Sequence, residues 1–296
     1  MTENNVAVAG GAVIDAHHHL WDLAVRDQEW IEGPALAPLR RSFLLPELEA
    51  QARGAGVAAT VLVQTVAVAE ETPEFLVLAA DSTLIGAVVG WTDLTAPGVA
   101  DELARLRALP GGGLLRGVRH QVQGEADPDW LTRPEVLRGL RAVEAAGLVY
   151  DLLVLPHQLP AAVRAAAALP GLTFVLDHLG KPPVASGATE PWARHVRELA
   201  ALPNTVGKLS GLVTEADWGS WSVRDLRPYA DAALDAFGPG RLMFGSDWPV
   251  STLAAGYGEV VAATGELLDA LSPAERGEVW AGTARRVYRP AAGVGR

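Results

Sequence analysis

The chain has no cysteine in its 296 residues. This excludes disulfides, thiolate nucleophiles and every sulfur-based zinc site, so a zinc site must draw on histidine and carboxylates. Lysine is almost absent too: Lys181 and Lys208 stand against 22 arginines. Together the basic residues number 24 and the acidic ones 35, a formal net charge of −11. A surface of that sign repels phosphate backbones and anionic lipid, which argues against nucleic-acid and membrane partners. No apolar run reaches the roughly 18 residues that a membrane helix needs. The best stretch, Ala145 to Leu155, is broken by Asp151. Met1 to Gly11 has neither a basic region nor a long apolar run, so it does not read as a signal peptide and the expectation is a cytoplasmic protein.

Apolar residues make up 49% and charged residues 20%, a balance that can build a core rather than a disordered chain. Short apolar runs recur at Ala12–Asp15, Val57–Gln64, Leu84–Trp91, Leu115–His120, Leu148–Leu153, Leu172–Asp177, Thr205–Leu209 and Arg241–Gly245. They are aliphatic on both faces, as parallel strands covered by helices are. Between them lie helical stretches such as Pro46–Arg53, Pro97–Ala108, Arg133–Ala146, Pro160–Ala168, Pro191–Ala201 and Val223–Phe237, with Pro, Gly, Ser or Asp near their ends. About eight units of about 37 residues each predict an α/β fold, a (β/α)8 TIM barrel, with an open doubly wound sheet as the competing topology. No Pro/Gly/Ser-rich linker divides the chain, so residues 1–296 are expected to form a single domain. Residues 21–42 lack periodicity and read as a long loop after the first strand, of the kind that often binds or covers a site.

The residues just past the strand ends carry the chemistry. In Ile14-Asp15-Ala16-His17-His18-His19, His17 and His19 sit at strand spacing and share a face, while His18 points away. His178 ends the sixth strand and Asp247 follows the eighth. In a barrel these side chains meet at the C-terminal mouth, where imidazoles and a carboxylate supply the parts for hydrolysis. Other signals are weaker. Gly180-Lys181-Pro182 lacks the rest of a phosphate loop, no G-x-S-x-G elbow or HExxH occurs, and His195 reads as a solvated helix residue. Glu70, Glu71 and Glu74 read as an acidic helix start.

Three phrases carry a family resemblance: His17-x-His19 after Ile14-Asp15, Leu176-Asp177-His178-Leu179-Gly180-Lys181-Pro182, and Phe244-Gly245-Ser246-Asp247-Trp248-Pro249. Val89–Leu94, Gly117–Gln121 and Lys208–Leu212 support them. The chain resembles the amidohydrolase superfamily, specifically its amidohydrolase-related branch of fuconolactonase-like and pyrone-dicarboxylate lactonase-like proteins, over about residues 13 to 288. The resemblance implies a TIM barrel that hydrolyses a small sugar-acid or dicarboxylate lactone. It implies Asp247 as the base, and His17, His19 and His178 as groups that bind metal or polarise the carbonyl. Trp21, Trp91, Arg119, His120, His157, Lys181 and Trp248 fall where substrate-facing groups are expected. Binuclear members bridge two metals through a carboxylated lysine ending strand four; here that strand ends in Arg119-His120. One divalent ion, zinc by preference, or metal-free catalysis remains.

A lactone suits this set, because one activated water and one or two groups on the carbonyl oxygen suffice for its low barrier. The partner is then a small-molecule lactone, with self-association into a homo-oligomer left open. A metal-dependent decarboxylase of a small aromatic or unsaturated acid is the alternative reaction. A catalytically silent, ligand-binding barrel is the alternative class.

Overall fold

A computed structural model describes residues 12–291, so the reading of Met1 to Gly11 lies outside the described residues. Eight strands follow one another in a single sheet: β1 (Val13–His18), β2 (Val57–Val63), β3 (Ile85–Gly90), β4 (Leu115–His120), β5 (Val149–Leu152), β6 (Phe174–Leu176), β7 (Thr205–Leu209) and β8 (Leu242–Phe244). Every neighbouring pair is parallel, and a parallel bridge between His18 and Trp248 brings the first strand to the chain just past the last. This is the expected (β/α)8 barrel, not an open doubly wound sheet.

Helices return the chain after each strand: α1 (Leu45–Gly54), α2 (Glu71–Asp81), α3 (Val99–Ala108), α4 (Pro134–Ala145), α5 (Leu159–Ala168), α6 (Trp192–Ala200), α7 (Val223–Phe237) and α8 (Tyr257–Leu267). Two short helices, α9 (Pro273–Gly277) and α10 (Thr283–Tyr288), complete the described chain. The sequence reading did not mark the last three, because α8 is apolar around most of its circumference and the other two are five and six residues long. Among the described residues no helix is long and apolar enough to cross a membrane.

The core has two parts, as alternation along covered strands requires. Ala59, Val61, Val63, Ala87, Val89, Val149, Val175, Val206 and Met243 form the inner cluster. Leu62, Val88 and Val118 face the other way and join the helix residues Leu48, Leu103, Leu140 and Val196.

Asp15 ties the ends of the barrel together. Its buried carboxylate accepts hydrogen bonds from Ser246 N at 2.8 Å, Ser246 Oγ at 2.6 Å, Tyr257 OH at 2.9 Å and His17 N at 3.1 Å. The backbone adds Asp247 N to His17 O at 2.8 Å and His19 N to Trp248 O at 2.7 Å. Replacing Asp15 by alanine strands several buried donors, each worth about 1–3 kcal/mol when unmade. Asp15→Ala is therefore expected to lower stability by about 3 kcal/mol, read as a shift of the urea midpoint at unchanged slope.

Candidate active site

The strand ends deliver four side chains to one point. His17 Nε2, His19 Nε2 and His178 Nε2 each lie 3.7 Å from Asp247 Oδ1. His17 and His19 face each other with their Nε2 atoms 3.1 Å apart. Strict alternation along β1 would not do this, since Ile14 and Ala16 already face the barrel interior. A register irregularity between Asp15 and His18 turns His17 inward as well, which is a common use of a bulge beside a site. The same irregularity leaves His18 pointing elsewhere, to Thr60 Oγ1 at 2.9 Å.

The backbone is strained where it presents these groups. His178, Leu179 and Lys181 have φ of 52°, 51° and 53°, and Asp247 has φ of 55°. Left-handed conformations at non-glycine residues cost of order 1–3 kcal/mol each and cluster at functional sites. Gly211 makes room for the turn: a Cβ there would approach His178 Nδ1 to 2.7 Å.

Each imidazole is oriented through its other nitrogen. His19 Nδ1–H donates to the Val63 carbonyl at 2.8 Å, and His178 Nδ1 shares a hydrogen bond with Ser210 Oγ at 2.9 Å. His17 Nδ1 lies 3.3 Å from Asp177 Oδ1 and 3.1 Å from Lys208 Nζ. Burial lowers all three imidazole pKa values, that of His178 to about 3, so they are neutral at pH 7. Burial also raises the Asp247 carboxyl to about 7.

This donor set fits one divalent cation. His17, His178 and Asp247 each offer an atom within 4.8 Å of the others, and His19 Nε2 keeps its lone pair because Nδ1 carries the proton. The 3.1 Å between His17 and His19 and the three approaches of 3.7 Å to Asp247 Oδ1 are close to the edge, about 3.3 Å, of a tetrahedron with bonds of about 2.0 Å. The contacts behind His17, His19 and His178 to a carboxylate, a carbonyl and a hydroxyl are those that orient metal-ligating imidazoles.

Beneath the cup lies a buried charge network that the sequence reading missed. Lys208, fully buried, pairs with Asp151 at 2.6 Å and Asp177 at 2.9 Å, and Tyr288 OH donates to Asp151 at 2.7 Å. Burial outweighs Lys208 at Asp151 and raises it to about 6. At Asp177 burial is overcome by Lys208, His17 and Arg119, which hold it well below the usual range. Arg119 donates to Asp177 Oδ2 at 3.1 Å and, through Nε and Nη2, to Gln64 Oε1 at 2.9 and 2.8 Å. Its Nη1 also lies 3.4 Å from His17 Nε2.

The cavity above, about 330 Å³, is lined by His19, Arg119, His178, Lys181 and Asp247, as expected, and by Trp30, Thr65, Gln121, Gln123, Glu215 and Trp218. Five of the seven substrate-facing candidates do not line it, and neither does His17. Trp21 is buried edge-on to Trp30 and Phe43 and donates Nε1–H to Arg41 O at 2.7 Å. Trp248 is buried against Phe43. Trp91 donates to His120 Nδ1 at 3.1 Å, while His120 stacks on Trp130 and reaches Glu125 at 2.8 Å. His157 is exposed on the short turn Pro156–Gln158. Adjacency in sequence to a ligand is not adjacency in space, because successive residues leave a strand tip toward different sides. Arg119 lines the cavity, yet all three of its nitrogens are engaged within the protein. The aromatic walls are instead Trp30, from the long 21–42 loop flagged in the sequence, and Trp218.

A family model described as Amidohydrolase matches residues 14–289. A curated L-fucono-1,5-lactonase from Burkholderia multivorans is 45% identical, covering 94% of this chain and 96% of that protein. One of the same name from Burkholderia ambifaria is 40% identical, covering 93% and 95%. A crystal structure of an amidohydrolase from Burkholderia multivorans with bound zinc superposes with a TM-score of 0.88 at 44% identity, covering 95% of this chain and all of that one.

Two outcomes follow from the geometry. Gly211→Ala should push the His178 ring aside and lower kcat by about a hundredfold, since misplacement of about 1 Å costs that much; circular dichroism should show the fold retained. Glu71, read in the sequence as part of an acidic helix start, does begin α2 but is buried, accepts from Thr65 N at 2.8 Å, and is raised to about 7 by that burial. Its folded pKa lies above the unfolded value, so the native state holds the proton more tightly. Its stabilising contribution is complete below pH ~4.5 and is lost as pH rises to about 7, by about 3 kcal/mol. Glu71→Gln should remove that part of the decline in stability between pH 5 and 7.5, measured by urea unfolding beside the wild type.

Proposed function

The chain belongs to the amidohydrolase family, and from that premise we propose that it is a hydrolase that opens a small, neutral sugar-acid lactone by attack of water. The observation that carries this reading is the common 3.7 Å approach of three imidazole Nε2 atoms to Asp247 Oδ1. His17, His19, His178 and Asp247 would hold one divalent ion, zinc by analogy with the zinc-bound relative. Such an ion, when bound, supplies Lewis-acid polarisation of the lactone carbonyl and acidifies water.

Asp247 takes the proton of the attacking water as the new carbon–oxygen bond forms. Burial raises the Asp247 carboxyl towards neutrality and makes it a stronger base than one in water; a divalent ion bound at the same carboxylate would draw its pKa back down. As the tetrahedral centre collapses, the ring carbon–oxygen bond breaks. The departing ring oxygen takes the proton back from Asp247, leaving a hydroxy acid. His178 faces the reacting carbonyl from β6, and Ser210 keeps its ring in place. Asp177 and Arg119 fix His17 from below.

The charge in the cup selects among lactones. Arg119 is used internally, and Lys181 Nζ lies 3.3 Å from Glu215 Oε1 on the same wall. No unpaired cation among the described lining residues is left to receive a substrate carboxylate. Trp30 and Trp218 offer faces for a sugar ring, and Gln121 and Gln123 offer amides for its hydroxyls. This favours a hydroxylated, uncharged lactone over a dicarboxylate, in keeping with the L-fucono-1,5-lactonase relatives.

Asp247→Asn is expected to lower kcat on L-fucono-1,5-lactone by about 10³-fold, with thermal unfolding little changed. Activity near wild type in that variant would exclude the base role. Elemental analysis should find one divalent ion per wild-type chain and a reduced content in His178→Ala. A pyrone dicarboxylate should be turned over far more slowly than neutral aldonolactones; the reverse preference would overturn the substrate class.

A further inference from the structure

The opposite mouth of the barrel carries a second cavity, of about 450 Å³, bordered by the start of β4 (Leu115), by Val149 and Val206, and by α10. Five arginines line it: Arg107, Arg116, Arg241, Arg286 and Arg289; Glu144 is the one carboxylate on its wall. In a chain of net charge −11 this is a local reversal of sign.

The five are not equivalent. Arg241 is used structurally, donating to the carbonyls of Ala200 at 2.8 Å and Phe237 at 3.1 Å. Arg286 pairs with Glu278 at 2.6 Å and donates to the Gly240 carbonyl at 2.8 Å. Arg107 donates to the Ala146 carbonyl but has no carboxylate partner. Arg116 and Arg289 have neither an ion pair nor a side-chain hydrogen bond among the described residues. Arg116 Nε is buried and has no hydrogen-bond partner among the described residues. Burial and the charges of Arg107 and Arg289 hold its guanidinium below its ordinary pKa, a sign that these cations repel one another without a compensating anion. A buried donor without a partner is expensive unless a ligand satisfies it, and the exposed Arg107 and Arg289 flank that donor with charge that no carboxylate neutralises. Guanidinium groups match oxyanions in shape and donor spacing.

We propose that this cavity binds a multiply charged oxyanion, held by Arg116 and Arg289 with Arg107 beside them, at a site separate from the catalytic cup. Phosphate-type and polycarboxylate anions share this chemistry, and the volume admits a small molecule of either kind. Glu144 opposes the ligand and sets a limit on affinity.

The test is isothermal titration calorimetry on the full chain at physiological salt, with pyrophosphate in one arm and citrate in the other. Saturable binding of at least one anion at one site per chain is expected, and the arm that binds identifies the source. Arg116→Gln should weaken it by about tenfold, the loss of one charge-assisted contact. Glu144→Gln should tighten it by about threefold, through removal of a like charge. Circular dichroism of both variants reports that the fold is kept. No saturable binding of either anion up to about 5 mM, a range in which even weak specific sites fill, would overturn the proposal. Equal affinity in Arg116→Gln and wild type would do the same, as would weaker binding in Glu144→Gln.

Discussion

Three imidazole nitrogens and a carboxylate oxygen crowd one buried point, and left to themselves they would not stay there. The Nε2 atoms of His17 and His19 face each other at 3.1 Å, and His19 Nε2 carries no proton because its Nδ1–H is given to Val63 O. With the His17 proton on Nε2 the pair shares one hydrogen bond, and with it on Nδ1, towards Asp177, two lone pairs face each other and repel out of water. The arrangement must be imposed from outside, and every unusual feature of the barrel's upper end imposes it. The Asp15 carboxylate stitches the β8 end to β1, the irregularity in β1 turns His17 inward, and left-handed backbone at His178 and Asp247 aims the other two groups. A cation or a proton at the centre relieves what the scaffold has compressed.

The layer below explains why the compression is tolerable. Lys208 and Arg119 bring two positive charges into the barrel, and Asp151 and Asp177 bring two negative ones, so the layer is balanced. Burying four charges is unfavourable in itself, and pairing at 2.6 to 3.1 Å only offsets that cost. What the network supplies is orientation. Asp177 and Lys208 meet His17 Nδ1 from below, and Arg119 is clamped by Gln64, whose loop is held by Glu71 through Thr65. Rigidity is passed upward through contacts that each have a single good geometry.

The sequence disclosed the frame and the centre of the site, but little of its walls. Strands could be read because covered parallel strands are aliphatic on both faces; β4 and β7 begin and end where the pattern places them. The four central residues were legible because each ends a strand, and strand ends in a barrel converge. Trp21, Trp91 and Trp248 were expected to face the substrate from the family resemblance, and none of them lines the cavity. Trp30 and Trp218 line the cavity from loops whose course no periodicity encodes. The ionic layer escaped for another reason. Asp151 appeared only as an interruption in an apolar run, and Lys208 only as one of two lysines and the start of a supporting family phrase. A charge inside an otherwise aliphatic strand, such as Lys208 in Thr205–Leu209, was the available signal, since such a charge needs a buried partner.

The two mouths of the barrel are thus opposite in electrical character, and the interior lies between them. At the upper mouth Lys181 is matched by Glu215, Arg119 is consumed below, and Asp247 is the charge that faces the cavity. At the lower mouth arginines outnumber carboxylates five to one around a cavity of similar size. A layer of Val149, Val175, Val206 and Met243 separates the lower cavity from the ionic network. Apolar packing of this kind transmits position and screens little charge, and the layer of Lys208, Arg119, Asp151 and Asp177 adds no net charge of its own, so the basic lower face reaches the upper cup only as a field that weakens with distance.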